Sequence, residues 1–554
     1  MISSLFPQLA TFAYGPQAIG VALATPLVFL IGCLASRLRA LRPTFLVLAP
    51  VPALAAAILA AESGPLVLDQ TLFPAVFVLD PAGALLLGVS ALLWIAAGVF
   101  AASVTPDEMR DGWFAACWLL TLIGNVGVFL SADVVSFYLV FALVSLPAYG
   151  LITLGRGGAP EKAGRLYLSV ALLGEAFLIV AFAALALGAP DQSLLISDGV
   201  AALPTSRWRD AVVGLLIAGF ATKIGTFPLH VWMPSTYRTA PIPASTILSG
   251  AAVNAGVIGL TRFLPFGVEV AGWGQALVVL GMFGAFYGVA IGLTQRDAKT
   301  VLAYSSVSQM GLVAATLGNG LAGANAAAAG AAALYAAHHG LAKGGLFLAT
   351  GVVMSAARGR RAWTLPLIAL LALSLAGLPP MGGAIAKLAI KAPLGGGLLD
   401  VLSTLSAVAT TLLMLHFVAR LHAEPLRGKP ETTLGVIAPW LAVTLASVVV
   451  PTAYFLADAP ASAASLLNYR LVWEALWPVA AGAALAAISR RWLDRAPNAP
   501  EGDIIVLLQG AVSRFGIIGP CVERQMRVLQ QWTVAAAALL AIATVLAGTG
   551  LLAR

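Results

Sequence analysis

Three lysines (Lys223, Lys343 and Lys387), one glutamate (Glu175) and three histidines (His338, His339 and His416) fall inside long apolar runs of this chain. A charged group at mid-bilayer costs about 2.5 to 3.5 kcal/mol or more, so such residues mark ion or proton pathways unless they are statically paired or snorkel to a surface. Ammonium, imidazole and carboxylate groups exchange protons with each other and with water, and desolvation makes their protonation responsive to neighbouring charge. The spacing suits a relay. His339 and Lys343, four residues apart, share one helix face about a turn from each other. His338 points about 100 degrees away from His339 and cannot readily share a metal with it. Lys223 stands just before Pro228, with His230 just after, and Lys387 follows Pro379 and Pro380. Lys391, near the end of its run, is better explained by snorkelling or static pairing, and His416 reads as a satisfied interior histidine. No HExxH, Cys/His cluster, phosphate loop or activated nucleophile accompanies them, and Cys33, Cys117 and Cys521 are isolated. Neither a metal nor a cofactor is expected.

The elements that must position these residues follow from composition. The 554 residues are 60% hydrophobic and 10% charged, with a mean hydropathy of +0.95, whereas soluble domains are about 25% charged. A soluble enzyme is excluded. The net charge of +8 does not point to nucleic acid, because the basic residues sit in loops between apolar runs and form no basic face. Apolar runs predict spans near 17–36, 44–61, 82–103, 112–131, 134–154, 163–188, 211–227, 241–261, 271–294, 300–318, 323–353, 364–394, 398–419, 433–457, 471–488 and 532–552, about sixteen in all. Met1 to Gly20 lacks a basic n-region, so the first run is expected to stay as a span. Alternate loops hold 22 arginines and lysines, the others five, which places the basic loops in the cytoplasm and both termini outside. Glu501 to Trp532 reads as an amphipathic segment on the cytoplasmic surface.

The expected fold is an all-α polytopic membrane protein. Pro228 interrupts the seventh span and Pro379 with Pro380 the twelfth, and broken helices in lipid require protein or water to satisfy the freed carbonyls. A lysine accompanies each break, five spans apart, and an odd interval implies inverted repeats. The expected division is residues 1–111 for helices 1–3, 112–261 for a first five-helix repeat, 262–420 for a second, and 421–554 for helices 14–16 with the amphipathic segment.

The stretch from Lys223 to Ser249, KIGTFPLHVWMPSTYRTAPIPASTILS, resembles the signature of the antiporter-like membrane subunits shared by respiratory complex I, membrane-bound hydrogenases and Mrp-type sodium/proton antiporters. DAKTVLAYSSVSQMG (297–311), HGLAKGGLF from His339 and GLPPMGGAIAKLAIK from Gly377 are similar to further blocks of that family, and the likeness covers roughly residues 80–420. The last two spans resemble a shortened form of its lateral-helix extension. The resemblance implies that Lys223 is the central protonatable lysine of one half-channel, that His339 and Lys343 link the halves, and that Lys387 faces the outer exit. Two positions depart from the pattern: Ala142 stands where the fifth helix normally carries a glutamate, and Asn254 where the eighth often carries a lysine or histidine. Glu175, mid-way along the sixth span, is the expected replacement partner for Lys223.

These residues lead to a proton- or cation-translocating subunit in a bacterial-type inner membrane, with other membrane subunits, protons or monovalent cations and lipid as partners and no nucleic acid. A non-transporting scaffold, or the membrane component of an inorganic-carbon uptake system, is the alternative. No catalytic site is expected; a redox reaction, if one drives the chain, belongs to partner subunits. Cysteines placed at Arg360 and Arg491 should react with an impermeant thiol reagent only from the cytoplasm, and one at Arg554 only from outside; the reverse labelling overturns the orientation.

Overall fold

A computed structural model describes residues 15–61, 63–69, 74–155, 157–355, 358–424, 434–458, 468–493, 499–500, 504 and 506. The chain divides into two compact units, Met1–Ala499 and Pro500–Arg554, and the helices named below lie in the first. The expected span at 532–552 and nearly all of the segment 501–532 lie outside the described residues.

In chain order, apart from the short helices Pro106–Met109, Ala148–Ile152 and Ile196–Ala202, the helices are α1 (Gly15–Leu34), α2 (Arg42–Leu48), α3 (Val51–Leu59), α4 (Pro81–Val104), α5 (Gly112–Leu130), α6 (Val134–Ser145), α7 (Gly158–Gly188), α8 (Arg209–Ile224), α9 (Met233–Thr239), α10 (Ile242–Ile247) and α11 (Val253–Phe263). There follow α12 (Ala271–Thr294), α13 (Ala298–Ala322), α14 (Ala327–Ser355), α15 (Arg358–Ala376), α16 (Gly382–Leu394), α17 (Leu398–Ala423), α18 (Leu434–Asp458) and α19 (Tyr469–Leu493). Among the described residues, twelve helices are long and apolar enough to cross a membrane. The expected spans at 211–227, 323–353 and 364–394 are helical but not among the twelve, being respectively short, rich in buried polar residues, and broken into α15 and α16. An antiparallel pair of short strands, Leu66–Leu68 with Ala75–Phe77, and a π-helical segment at Leu248–Ala252 joining α10 to α11 were not expected.

The seventh span ends earlier than Pro228 suggests. Gly225, at φ +67, terminates α8 directly after Ile224, because glycine alone enters the left-handed region without a Cβ penalty. The chain then turns through Pro228 and His230 into α9. The twelfth span breaks in the same manner: α15 stops at Ala376 and Gly377 has φ +99 ahead of Pro379 and Pro380.

The core is helix against helix. Every residue of the best apolar window of α13 is buried, and α14 packs against α4, α10, α11, α13, α15, α16 and α18. By contrast α1 and α19 leave most of their surface outward, as lipid-facing helices do. The hairpin of α12 and α13 shows how close the helices come. Gly274, Gly281 and Gly288, seven residues apart, face Gly318, Gly311 and the Tyr304–Ser308 turn, backbone against backbone. Such contact needs glycine, since a Cβ at Gly281 would lie 2.7 Å from Ala315 N. Arg262, at the end of α11, gathers the loops of one end: it binds both carboxylate oxygens of Asp80 at 3.1 Å and donates to the carbonyls of Val128, Phe129 and Ser131. Asp80 in turn caps α4 through Gly83 N.

Gly281→Ala should cost about 1 to 3 kcal/mol, because its methyl meets backbone that cannot rotate away. Gly272→Ala, with open space at its Cβ position, is the control. Thermal unfolding in detergent checks both, and equal midpoints would show that the glycine contact does not hold the hairpin.

Candidate functional site

Lys223 lies on the last turn of α8, where the helix C-terminus favours a cation. It is buried, and its Nζ donates to Ser145 Oγ at 3.0 Å and to Tyr167 OH at 3.4 Å. The rings of Phe141 and Tyr167 both lie 5.8 Å from the ammonium, a distance at which a ring face attracts a cation. Trp232 Nε1 returns from beyond the break to donate to Thr222 O at 2.8 Å, satisfying a carbonyl that the interruption frees.

Glu175 is buried in the middle of α7 and faces the same region. α7 packs tightly on α8 at Gly174, where an added Cβ would strike Thr222 Oγ1. This puts Glu175 and Lys223 on neighbouring turns, each within electrostatic reach of the other. The two groups make no direct ion pair; polar side chains stand between them. Neither oxygen of Glu175 makes a close hydrogen bond, and the lysine is engaged by Ser145 and Tyr167, which stand beside the two charges. Sequence reasoning missed Ser145. The signal was present, because Ser145 is three residues after Ala142 and so one turn further along the same face.

Asn254, on α11, lies against Gly340 of α14: its Nδ2 would be 3.1 Å from a Cβ there. Neither polar atom of its side chain has a protein partner. The preceding residue of α14, His339, is fully buried with both ring nitrogens equally without a protein partner. One turn on, Lys343 donates to Leu302 O of α13 at 2.7 Å. His338, as its position requires, points elsewhere: its Nε2 is 2.9 Å from Ser374 Oγ of α15, and its ring fills the space over Gly382 and Gly383 at the start of α16. Ser374 also accepts from Gly383 N at 3.3 Å, so one hydroxyl joins α14, α15 and α16.

Lys387, on α16, runs back over the break. A Cβ at Gly377 would meet its Cδ at 2.9 Å, and its buried Nζ has no protein partner. Lys391 forms an ion pair with Glu474 of α19 at 2.7 Å. His230 is buried in the turn after α8 among the rings of Phe227, Tyr287 and Tyr304. His416 bonds to Gln295 O at 2.8 Å, the satisfied interior histidine the sequence suggested. No group of three or more potential ligands able to hold a metal occurs among the described residues. Buried polar atoms that lack protein partners are as a rule met by ordered water. Glu175, Asn254, His339 and Lys387 are the members of this set that such a rule concerns.

The chain is similar to known proteins over the region that holds these residues. The family described as "NADH:quinone oxidoreductase/Mrp antiporter, TM" matches residues 131–413, which include every residue named above from Ser145 to Lys391. NADH-quinone oxidoreductase subunit N of Paraburkholderia phymatum is 30% identical over 385 residues, spanning 64% of this chain and 77% of that protein. A chain of the Mrp complex from Dietzia sp. DQ12-45-1b superimposes with a TM-score of 0.73 at 22% identity, over 97% of this chain and 63% of that one. A chain of the membrane-bound sulfane sulfur reductase, an archaeal respiratory membrane complex, does so with a TM-score of 0.65 at 20% identity, over 85% and 99%. With its polytopic helical fold and its family-wide match over the broken helices, the chain is a multi-pass membrane protein that belongs to the NADH:quinone oxidoreductase/Mrp antiporter transmembrane family.

Proposed function

We propose that the chain is a proton- or cation-translocating subunit of a multisubunit membrane complex, seated in a bacterial-type cytoplasmic membrane with both termini outside. One observation carries this reading. Glu175, Lys223, His339 and Lys343 are buried in the helix bundle, Lys387 is half-buried with its Nζ enclosed, and none of Glu175, His339 and Lys387 makes a close hydrogen bond to protein through its titratable atoms. Static pairing would leave each with a partner, and snorkelling would expose its charged end.

In this reading the path begins at Glu175 and passes by Ser145 to Lys223. A neighbouring carboxylate favours the charged lysine, and neutralising it frees the lysine proton to move on. Asn254 then stands between the halves. An amide donates and accepts hydrogen bonds but does not take up a proton at neutral pH, so here the side chain orients water that does the carrying. His339 and Lys343 receive the proton, and His338 with Ser374 leads toward Lys387. Driving energy comes from partner subunits, through charge or conformation. The scaffold alternative draws on Ala142 and Asn254, but the buried Glu175 beside Lys223 supports a relay in altered form.

Lys223→Ala and Lys387→Ala should each slow proton flux into proteoliposomes by about tenfold or more, the scale of a lost proton-transfer group, while leaving the complex assembled. Full flux in both assembled variants rejects the function. Within the first half, Ser145→Ala and Glu175→Gln should each slow flux, and neither should add to Lys223→Ala, because residues acting through one lysine are not additive. Additive losses would place Ser145 and Glu175 on a separate route.

A further inference from the structure

Beyond Lys387 the structure contains a cavity of about 290 Å³ bounded by the break before α16, by α16 and α17, and by α18 and α19. Its wall is mostly apolar, and its polar groups are not scattered. Lys387 lies in the wall with a buried, unpartnered Nζ. Lys391 follows four residues later on the same helix, hence about 6 Å further along the axis on the same face. There it meets Glu474 of α19 at 2.7 Å, and both side chains are about half exposed, 47% and 51%. From α17, Asp400, Ser403 and Thr404 also line the cavity. Their i, i+3, i+4 spacing makes one polar stripe along an otherwise apolar wall. Asp400 is within electrostatic reach of Lys391 as well.

We propose that this cavity is the exit vestibule of the pathway, that Glu474 is the carboxylate that accepts the proton from Lys387, and that the Lys391–Glu474 ion pair is its gate. The inference rests on the translocating function proposed above and names its last step. The step conserves one proton and its charge. Protonated Lys387 passes a proton through vestibule water, along the Asp400–Ser403–Thr404 stripe, to the Glu474 carboxylate; the ammonium becomes an amine and the carboxylate a carboxylic acid. Neutral Glu474 no longer binds Lys391 as an ion, so the contact loosens. The acid releases its proton to the outer aqueous phase, and the restored carboxylate re-forms the pair. Asp400 keeps a counter-charge near Lys391 while Glu474 is neutral. The closed pair keeps outside protons from returning to Lys387. A pair that served only to strap α19 to α16 would need neither the cavity behind it nor a free amine one turn deeper.

The test uses the purified full-length chain, or its complex, in proteoliposomes with an entrapped pH dye, proton flux being driven by a potassium diffusion potential. Glu474→Gln should slow flux by about tenfold, and Glu474→Asp, which keeps a carboxylate, should retain more than about half of the rate. The double variant Lys391→Gln/Glu474→Gln should remain as slow as Glu474→Gln alone. Recovery in the double variant would mean that the pair is a strut whose harm came from an unpaired lysine, and would overturn the proposal. Wild-type flux in Glu474→Gln, with Lys387→Ala slow in the same assay, overturns the gate but leaves the function standing. Wild-type flux in Lys387→Ala overturns both.

Discussion

A bilayer offers no water to backbone carbonyls, and the rest of the structure follows from the obligation to satisfy them internally. A continuous helix meets that obligation alone. An interrupted one must be met by its surroundings, and here both interruptions are. At Gly225 the indole of Trp232 reaches back to Thr222 O; at Gly377 the backbone turns tightly onto Ser374 and Leu373, and Ser374 Oγ takes the Gly383 amide. Lys223 ends the helix before the first break, and Lys387 lies across the second. The first break thus leaves an ammonium among oxygen atoms and aromatic faces without its leaving the membrane.

Holding that interior together without filling it is the task of the small residues. Glycines bring α7 onto α8 at Gly174, α12 onto α13 at Gly281, and the π-helical segment onto α14 at Gly250 and Gly340. Each contact removes side-chain bulk where helices cross and leaves the polar residues next to it, Glu175 beside Gly174 and His339 beside Gly340, turned into the same interior. Van der Waals packing of this kind is the main attraction between helices in lipid, where burial from water contributes little. Closeness and polarity are therefore placed by the same short sequence segments.

The spans were legible because hydropathy and length speak directly of the bilayer; 271–294 coincides with α12 residue for residue. Break positions were less so, since Pro228 is conspicuous in the sequence but Gly225 turns the chain, and a glycine announces its φ only in context. Lys223, Lys343 and Lys387 could be named from charge in apolar surroundings alone. Their partners could not. Ser145, Tyr167 and Ser374 are ordinary residues of membrane helices, and only the packing of α6 and α7 on α8, or of α14 on α15, sets them at hydrogen-bond distance. Glu474 was harder still, because it lies 83 residues from Lys391 on a helix beyond the region that resembles the family.

The Arg262 cluster and the Lys391–Glu474 contact differ in mechanical terms. Arg262 spends its planar fork on one carboxylate and three carbonyls from the ends of different elements, with its side chain only 12% exposed; every bond restrains a different direction, and a lysine could not reproduce the fork. The contact between α16 and α19 has one point of attachment on two long, rotatable side chains. The two joints thus resist displacement unequally, although α19 is also held by its packing on α17 around Gly482. Between α16 and α19 a relative displacement therefore needs little more at this contact than the rotation of two side chains, whereas at Arg262 it must break a fork of hydrogen bonds.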